Sequence, residues 1–261
     1  MIAVLLRIPR IVHEQNVVPG RANMFLFKLA DKVAVSFEET RLSRSSGNMA
    51  GKFIFTGNPL RREVLKEDRP LGIKRFALDE SKFTILIIGG SQGAHFLNQA
   101  FMGAMASLDK DLRRSFQIIH LTGIKDYEWA VKTYSGIDGL ESRVYSFIDR
   151  IEEAYSASDL VITRAGASAL FEIACFARPM ILVPYPFAMS HQSENAKVFS
   201  RKGAAVVIDE NILSAETFKD NILRLFNDKE ALKKLGYSAK SLSSPDASMN
   251  LAGEVLNLSE K

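Results

Sequence analysis

A single cysteine, Cys175, stands in the chain of 261 residues, so an internal disulfide is excluded. That thiol and four scattered histidines offer no ligand cluster, and no metal is expected. Cys175 itself is expected in the core, where free cysteines tend to sit. Long hydrophobic runs are also missing: the apolar stretches near 85–88 and 180–189 fall far short of the ~20 residues that cross a bilayer. Met1 to Leu6 is apolar, but no basic residue precedes it, Arg7 breaks it and no small-residue cleavage site follows, so a secretory signal is not expected and a cytoplasmic location is. Basic residues interleaved with aromatics are absent, as is any nucleic-acid fold signature, which argues against a nucleic-acid partner.

A large excess of charge of one sign is absent, the net being +4, yet residues 41–75 hold nine Lys/Arg against three acidic residues. A solvated basic face explains this stretch, and attraction to anionic lipid or pyrophosphate is the alternative. The rest of the composition, 47% hydrophobic and 25% charged, is that of an ordinary globular protein able to bury a sizeable core.

From Lys82 onward the pattern alternates between short apolar runs and helical periodicity. FTILII, FQIIH, RVYSF, LVIT, MILV and AAVVI predict six strands, with helices between them at about 94–108, 127–133, 151–156, 168–177 and 192–200. Strands separated by helices predict an α/β domain with a parallel, doubly wound sheet. Amphipathic helices are expected at 214–226, 229–241 and 247–258. Residues 10–56 predict only three strands and two helices, too little to close a domain. The chain therefore divides into 1–56, too little to close a domain; 57–81, a charged linker with Pro59 and Pro70 as breakers; 82–246, a doubly wound α/β domain; and 247–261, a further helix.

Polar motifs fall where strands give way to helices. GGSQGA at 89–94 follows FTILII, and its glycines allow close backbone approach while the next helix presents free amides, which suits a diphosphate. It matches neither GxGxxG nor a P-loop, and a tight strand-to-helix turn explains it as well. RAGAS at 164–168 repeats the arrangement, with Glu172 one helical turn beyond Ser168, placed to accept both hydroxyls of a ribose or to sit as an exposed helix glutamate. HQSEN at 191–195 puts Gln192 and Asn195 on one helix face, suited to sugar hydroxyls and an acetamido group, or in part to capping. HEQN at 13–16 crowds four polar groups at a strand end, which suits a site with His13 as the one candidate general base in the chain, although a lone histidine is more often structural. Arg61 in GNPLR is a candidate phosphate clamp or a surface arginine. The pair Asp109 and Asp111 resembles a metal-binding DxD but sits in a charged helix end and is discounted.

Taken in order, HEQNVVPG, TGNPLR, LIIGGSQGAHFLN, FIDRIEEAYSASDLVITRAGAS, FEIA and HQSENA resemble the MurG family, bacterial N-acetylglucosaminyltransferases that convert lipid I to lipid II in peptidoglycan synthesis. The resemblance implies a GT-B glycosyltransferase fold, in which 1–56 is the remnant of an acceptor-binding, Rossmann-like N-terminal domain, 82–246 the complete Rossmann-like domain that binds UDP-GlcNAc and 247–261 a helix packing back toward the first. The same resemblance implies inverting transfer of GlcNAc from UDP-GlcNAc to the MurNAc 4-hydroxyl of lipid I at the cytoplasmic face of the inner membrane. It places Ile148 at the uracil through its backbone, Glu172 at the ribose, and Ser91 and Arg61 near the diphosphate. Ala167, Ser168, Ala169 and Leu170 would line the same pocket, Gln192 and Asn195 would hold the GlcNAc, and Asn16 would reach the donor from across the cleft. Helix N-termini and Arg61 would stabilise the departing UDP, so no metal and no cofactor are implied.

The chain departs from the family pattern at Ala169, Leu121 and Met189-Ser190, each loss comparable to one hydrogen bond, ~1 kcal/mol. The family's N-terminal GGTGGH-type loop, with its favoured catalytic base, has no counterpart here. About one domain's length, ~100 residues, is expected to be supplied by a longer form of the chain or by a second polypeptide. The alternative is a UDP-sugar-binding fragment without turnover; a UDP-GlcNAc 2-epimerase on the same fold matches the HEQN and FIDRIEEAY segments less well.

Overall fold

The computed structural model describes residues 2–40, 50–66, 68–89, 95–186 and 191–259. After a single turn, α1 (Ile2–Leu5), the chain forms β1 (Ile11–Glu14), α2 (Arg21–Leu29), β2 (Lys32–Val35) and β3 (Phe53–Phe55), a parallel three-stranded sheet in the order β1-β2-β3. A small core of Phe27, Ala30, Val33 and Val35 lies beneath it.

Residues 57–81, expected as a linker, carry a 3₁₀ turn at Arg62–Leu65 and the helix α3 (Arg69–Arg75). Pro70 opens this helix instead of breaking the chain. It stands in the first turn, where no intrahelical N–H is needed, and Asp68 caps that turn by accepting from the Leu71 amide at 2.9 Å. Gly72 lets α3 approach closely, since a Cβ there would lie 2.4 Å from the Glu153 carbonyl oxygen.

The second unit runs β4 (Phe83–Ile88), α4 (His95–Ala106), α5 (Lys110–Arg113), β5 (Phe116–Leu121), α6 (Tyr127–Ser135), β6 (Glu141–Tyr145), α7 (Ile151–Ala157), β7 (Leu160–Thr163), α8 (Ala167–Cys175), β8 (Met180–Leu182), α9 (His191–Arg201) and β9 (Ala205–Val207). The helices α10 (Ala215–Asn227), α11 (Lys229–Ser241) and α12 (Ala247–Ser259) complete it. All six strands are parallel, in the order β6-β5-β4-β7-β8-β9, the doubly wound arrangement whose switch point lies between β4 and β7.

Near-continuous apolar strands follow from burial on both faces. Ile85 and Ile87 pack with α4 and α10 through Leu97, Phe101, Phe218 and Ile222, whereas Leu86 and Ile88 pack on the opposite face with Leu170, Ile173 and Phe199. The second core also takes in Val17, Phe37 and Val64 from the N-terminal part of the chain, so apolar packing runs continuously between the two lobes. Phe37 meets Phe171 with ring centroids 4.9 Å apart. The helix α12 ties the lobes at the other side, where Glu254 pairs with Lys32 and the Asn250 amide donates to the Thr56 carbonyl at 3.4 Å. Cys175 is partly buried at the margin of the core rather than within it, and burial pushes its thiol pKa up.

Candidate functional site

Because every strand is parallel, the loops after β4, β5, β6, β7 and β8 gather at one edge of the sheet. The helix α8 starts there at Gly166, whose backbone is extended and which has no side-chain cap. Among the described residues nothing lies within 4 Å of where a Cβ on Gly166 would stand, and as N-cap residue it offers no side chain to the first-turn amides of α8. Of the four residues expected to line the pocket, Ser168 is exposed and Ala169 half-buried, while Ala167 and Leu170 are buried. The Leu170 side chain belongs to the core, and its amide closes the first turn on the Gly166 carbonyl at 3.0 Å.

Glu172 lies just beyond, half-buried, and accepts a hydrogen bond from the Tyr155 hydroxyl at 3.2 Å. Burial raises its pKa; the Tyr155 bond and the Arg61 charge oppose that shift, and Glu152 adds to it. Glu172 and Arg61, two residues expected at the donor, are thus electrostatic neighbours although 111 positions separate them. Ile148 sits in the loop after β6, its side chain packed against the core. Its backbone groups have no hydrogen-bond partner among the described residues. Ser91 lies outside the described residues.

The N-terminal lobe reaches this edge through the loop 14–20. Buried Glu14 builds that loop: Oε1 accepts from the Asn16 amide at 2.8 Å and Oε2 from Gly20 at 3.2 Å and Asn23 at 2.8 Å. The loop then meets α9. Asn195, 0% exposed, donates through Nδ2 to Asn16 Oδ1 at 3.0 Å and to the Ala165 carbonyl at 3.2 Å, and its Oδ1 accepts from the Val17 amide at 3.0 Å. His191 donates from Nδ1 to the Val18 carbonyl at 2.7 Å. In this arrangement Asn16 and Asn195, expected to reach a donor from opposite sides, hold each other. Gln192 Oε1 accepts from the Tyr185 amide at 2.9 Å, which positions its side chain over the loop after β8.

His13 stands elsewhere in the first lobe, within β1. Its Nε2 is 3.3 Å from the Gly57 carbonyl, which can only accept, so Nε2 carries the proton. The Ser36 hydroxyl, 3.2 Å from the same nitrogen, donates onward to Asn58. Burial lowers the His13 pKa against the opposing effects of Gly57 and Glu14, so the ring is neutral at pH 7 with Nδ1 as its basic nitrogen. Asp109 and Asp111 fall at the start of α5, and Asp111 is solvated and paired with Arg114 at 3.3 Å.

Two participants escaped the sequence. Tyr155 was legible only as a member of the short helix expected at 151–156 and of the FIDRIEEAY segment, with no role of its own, and the contact between Val17 and Asn195 joins positions 178 apart with no periodic signal.

Comparison with known proteins bears on this geometry. Residues 84–251 match the family described as Glycosyltransferase family 28 C-terminal domain. The chain is 38% identical over 257 residues to the UDP-N-acetylglucosamine--N-acetylmuramyl-(pentapeptide) pyrophosphoryl-undecaprenol N-acetylglucosamine transferase of Geobacter sulfurreducens, covering 98% of this chain and 68% of that protein. The Halothermothrix orenii protein of the same name is 36% identical, over 93% of this chain and 66% of its own length. Among solved structures, MurG of Acinetobacter baumannii superposes with a TM-score of 0.77 at 28% identity, covering 98% of this chain and 69% of that one. The chain spans about two thirds of the length of the curated relatives it matches.

Proposed function

The chain belongs to the MurG family of N-acetylglucosaminyltransferases, with a GT-B glycosyltransferase fold, and from that premise we propose that it carries the UDP-GlcNAc-binding half of an inverting transferase that makes lipid II from lipid I. The observation that carries this reading is the sheet edge where the uncapped N-terminus of α8 opens beside Glu172 and Arg61. Free amides and a guanidinium suit a diphosphate, and a carboxylate one turn along suits the ribose. The unpartnered backbone of Ile148 suits the uracil edge, and Gln192 the GlcNAc. Asn195 and Asn16 would reach the sugar by exchanging their mutual bond for bonds to it. Ser91, by family resemblance, completes the diphosphate cradle.

As UDP departs, negative charge grows on the β-phosphate, and the amides of Ala167 to Ala169 with Arg61 stabilise it without a metal. The attacking 4-hydroxyl of the acceptor must lose a proton, and neutral His13, through Nδ1, is the base this chain can offer.

In this reading residues 1–56 belong to an acceptor-binding lobe, 82–246 form the donor lobe and 57–81 join them. Within the described residues β1 is an edge strand, and Leu5 (81% exposed) and Phe25 (59%) lie on the same lobe. A free strand edge and exposed apolar side chains on one lobe suit the remaining strands of that lobe, supplied in the same polypeptide or a second one. No helix among the described residues is long and apolar enough to cross a membrane. In this reading a lipid acceptor calls for peripheral attachment to the cytoplasmic face.

The test is transfer of radiolabelled GlcNAc to lipid I by the chain alone and by the chain supplemented with the N-terminal segment of the Geobacter sulfurreducens relative. Transfer in the supplemented mixture is expected. UDP-GlcNAc binding without transfer in either mixture would favour a sugar-binding fragment without turnover, and no binding in either would overturn the proposal.

A further inference from the structure

Tyr155 sits on α7 inside the apolar core, 2% exposed, with its ring 5.6 Å from that of Phe176. Nothing in that packing calls for an oxygen, and a phenylalanine would fill the same space. A buried hydroxyl is costly unless it is hydrogen-bonded. Among the described residues its side-chain partner is Glu172 Oε2, at 3.2 Å, across the junction of α7 and α8.

We infer that Tyr155 is a positioning residue for nucleotide recognition: its hydroxyl fixes the Glu172 carboxylate in the orientation that accepts the ribose hydroxyls. This rests on the assignment of Glu172 to the ribose made above. A glutamate has three rotatable bonds, and a free carboxylate loses that freedom on binding. Tyr155 imposes the loss during folding, so it is not subtracted from binding. Its bond uses one lone pair of Oε2 and leaves Oε1 for the ligand. Burial raises the phenol pKa well above its ordinary value, so the hydroxyl remains a donor wherever the protein is folded.

The same bond governs the charge on Glu172. The groups facing it are Tyr155 and Glu152 from α7, Arg61 from the segment before the 3₁₀ turn, and Cys175 on its own helix. Burial and Glu152 favour the neutral acid, whereas Tyr155 and Arg61 favour the carboxylate. Loss of the hydroxyl therefore moves protonation of Glu172 to higher pH.

The experiment is calorimetric titration of the full chain, without acceptor, with UDP and with 2′,3′-dideoxyuridine diphosphate between pH 5 and 8. The unmodified chain is expected to prefer UDP by about tenfold or more. Tyr155→Phe is expected to lose most of that preference, to bind the dideoxy nucleotide within about twofold of the unmodified chain, and to lose UDP binding at a higher pH on acidification. Retention of dideoxy-nucleotide binding also reports that the variant is folded. Full preference for UDP and an unchanged pH profile in Tyr155→Phe would overturn the inference alone, whereas no preference in the unmodified chain would overturn the ribose assignment and the inference with it. A second measurement avoids the variant. With ¹³C at tyrosine Cζ, the Tyr155 resonance should move as Glu172 titrates and again on adding UDP, and a resonance indifferent to both would contradict the coupling.

Discussion

Glu172 is held between opposing influences, and the balance sets its use. Because burial raises its pKa, acidification should protonate it at a higher pH than an ordinary glutamate, whose value is about 4.3, and a neutral acid accepts a ribose hydroxyl less well. UDP affinity should therefore weaken on acidification, beginning at a higher pH than an ordinary glutamate would set, as calorimetry would record, and Glu172→Gln should flatten the profile. His120 offers a stability counterpart. It is wholly buried, donates from Nε2 to Asn98 at 3.0 Å and accepts at Nδ1 from Tyr134 at 2.8 Å, and burial pulls its pKa down to about 3. Between that value and the unfolded value of about 6.5 only the unfolded chain binds the proton, so the contribution is complete above the unfolded pKa and is lost as pH falls toward 3. The unfolding free energy from urea titrations should decline from pH 7 to 5, by up to about 1.4 kcal/mol per pH unit from this group, and that of His120→Gln should decline less steeply. The sequence showed His120 only as a polar residue ending an apolar run; its partners come from two helices and carry no local signal.

Secondary structure was legible where one physical signal dominated. The inner strands of the second lobe, β4, β5, β7 and β8, were readable because burial on both faces demands continuous apolar runs, and α11 was readable because Asp228 caps a clean amphipathic pattern. The strand expected at RVYSF begins earlier, at Glu141, and ends at Tyr145, because β6 is an edge strand whose exposed and half-buried residues show no sharp hydrophobic onset. The helix α3 was hidden by Pro70 and by charge, although the aspartate two residues before the proline is the cap that makes a helix possible there. Close approach between elements is equally invisible. Gly57, with φ +81°, turns the chain out of β3, and a Cβ there would stand 2.4 Å from Ser244 Cβ. Gly57→Ala should lower stability by about 2–4 kcal/mol from combined backbone strain and overlap, measurable by chemical denaturation.

For the whole molecule, the relation between lobes matters most. Sequence alone identified which motifs belong together and, through family resemblance, that they face one cleft; it could not show that Asn195 would be consumed in joining its walls. That side chain satisfies Asn16, Val17 and Ala165 in a buried setting. Asn195→Ala should cost roughly 2–4 kcal/mol by leaving buried polar groups unpaired, and should increase amide hydrogen exchange in the loop 14–20. The continuous core through Val17 and Phe37 should keep the lobes associated. The central claim is that this chain contains a UDP-GlcNAc site built around Glu172, and metal-free calorimetry of UDP-GlcNAc against the unmodified chain and Glu172→Ala tests it most directly. The account predicts saturable one-to-one binding that weakens roughly tenfold to a hundredfold in Glu172→Ala, the worth of a charge-assisted hydrogen bond. Equal binding by both proteins, or binding by neither, would contradict it.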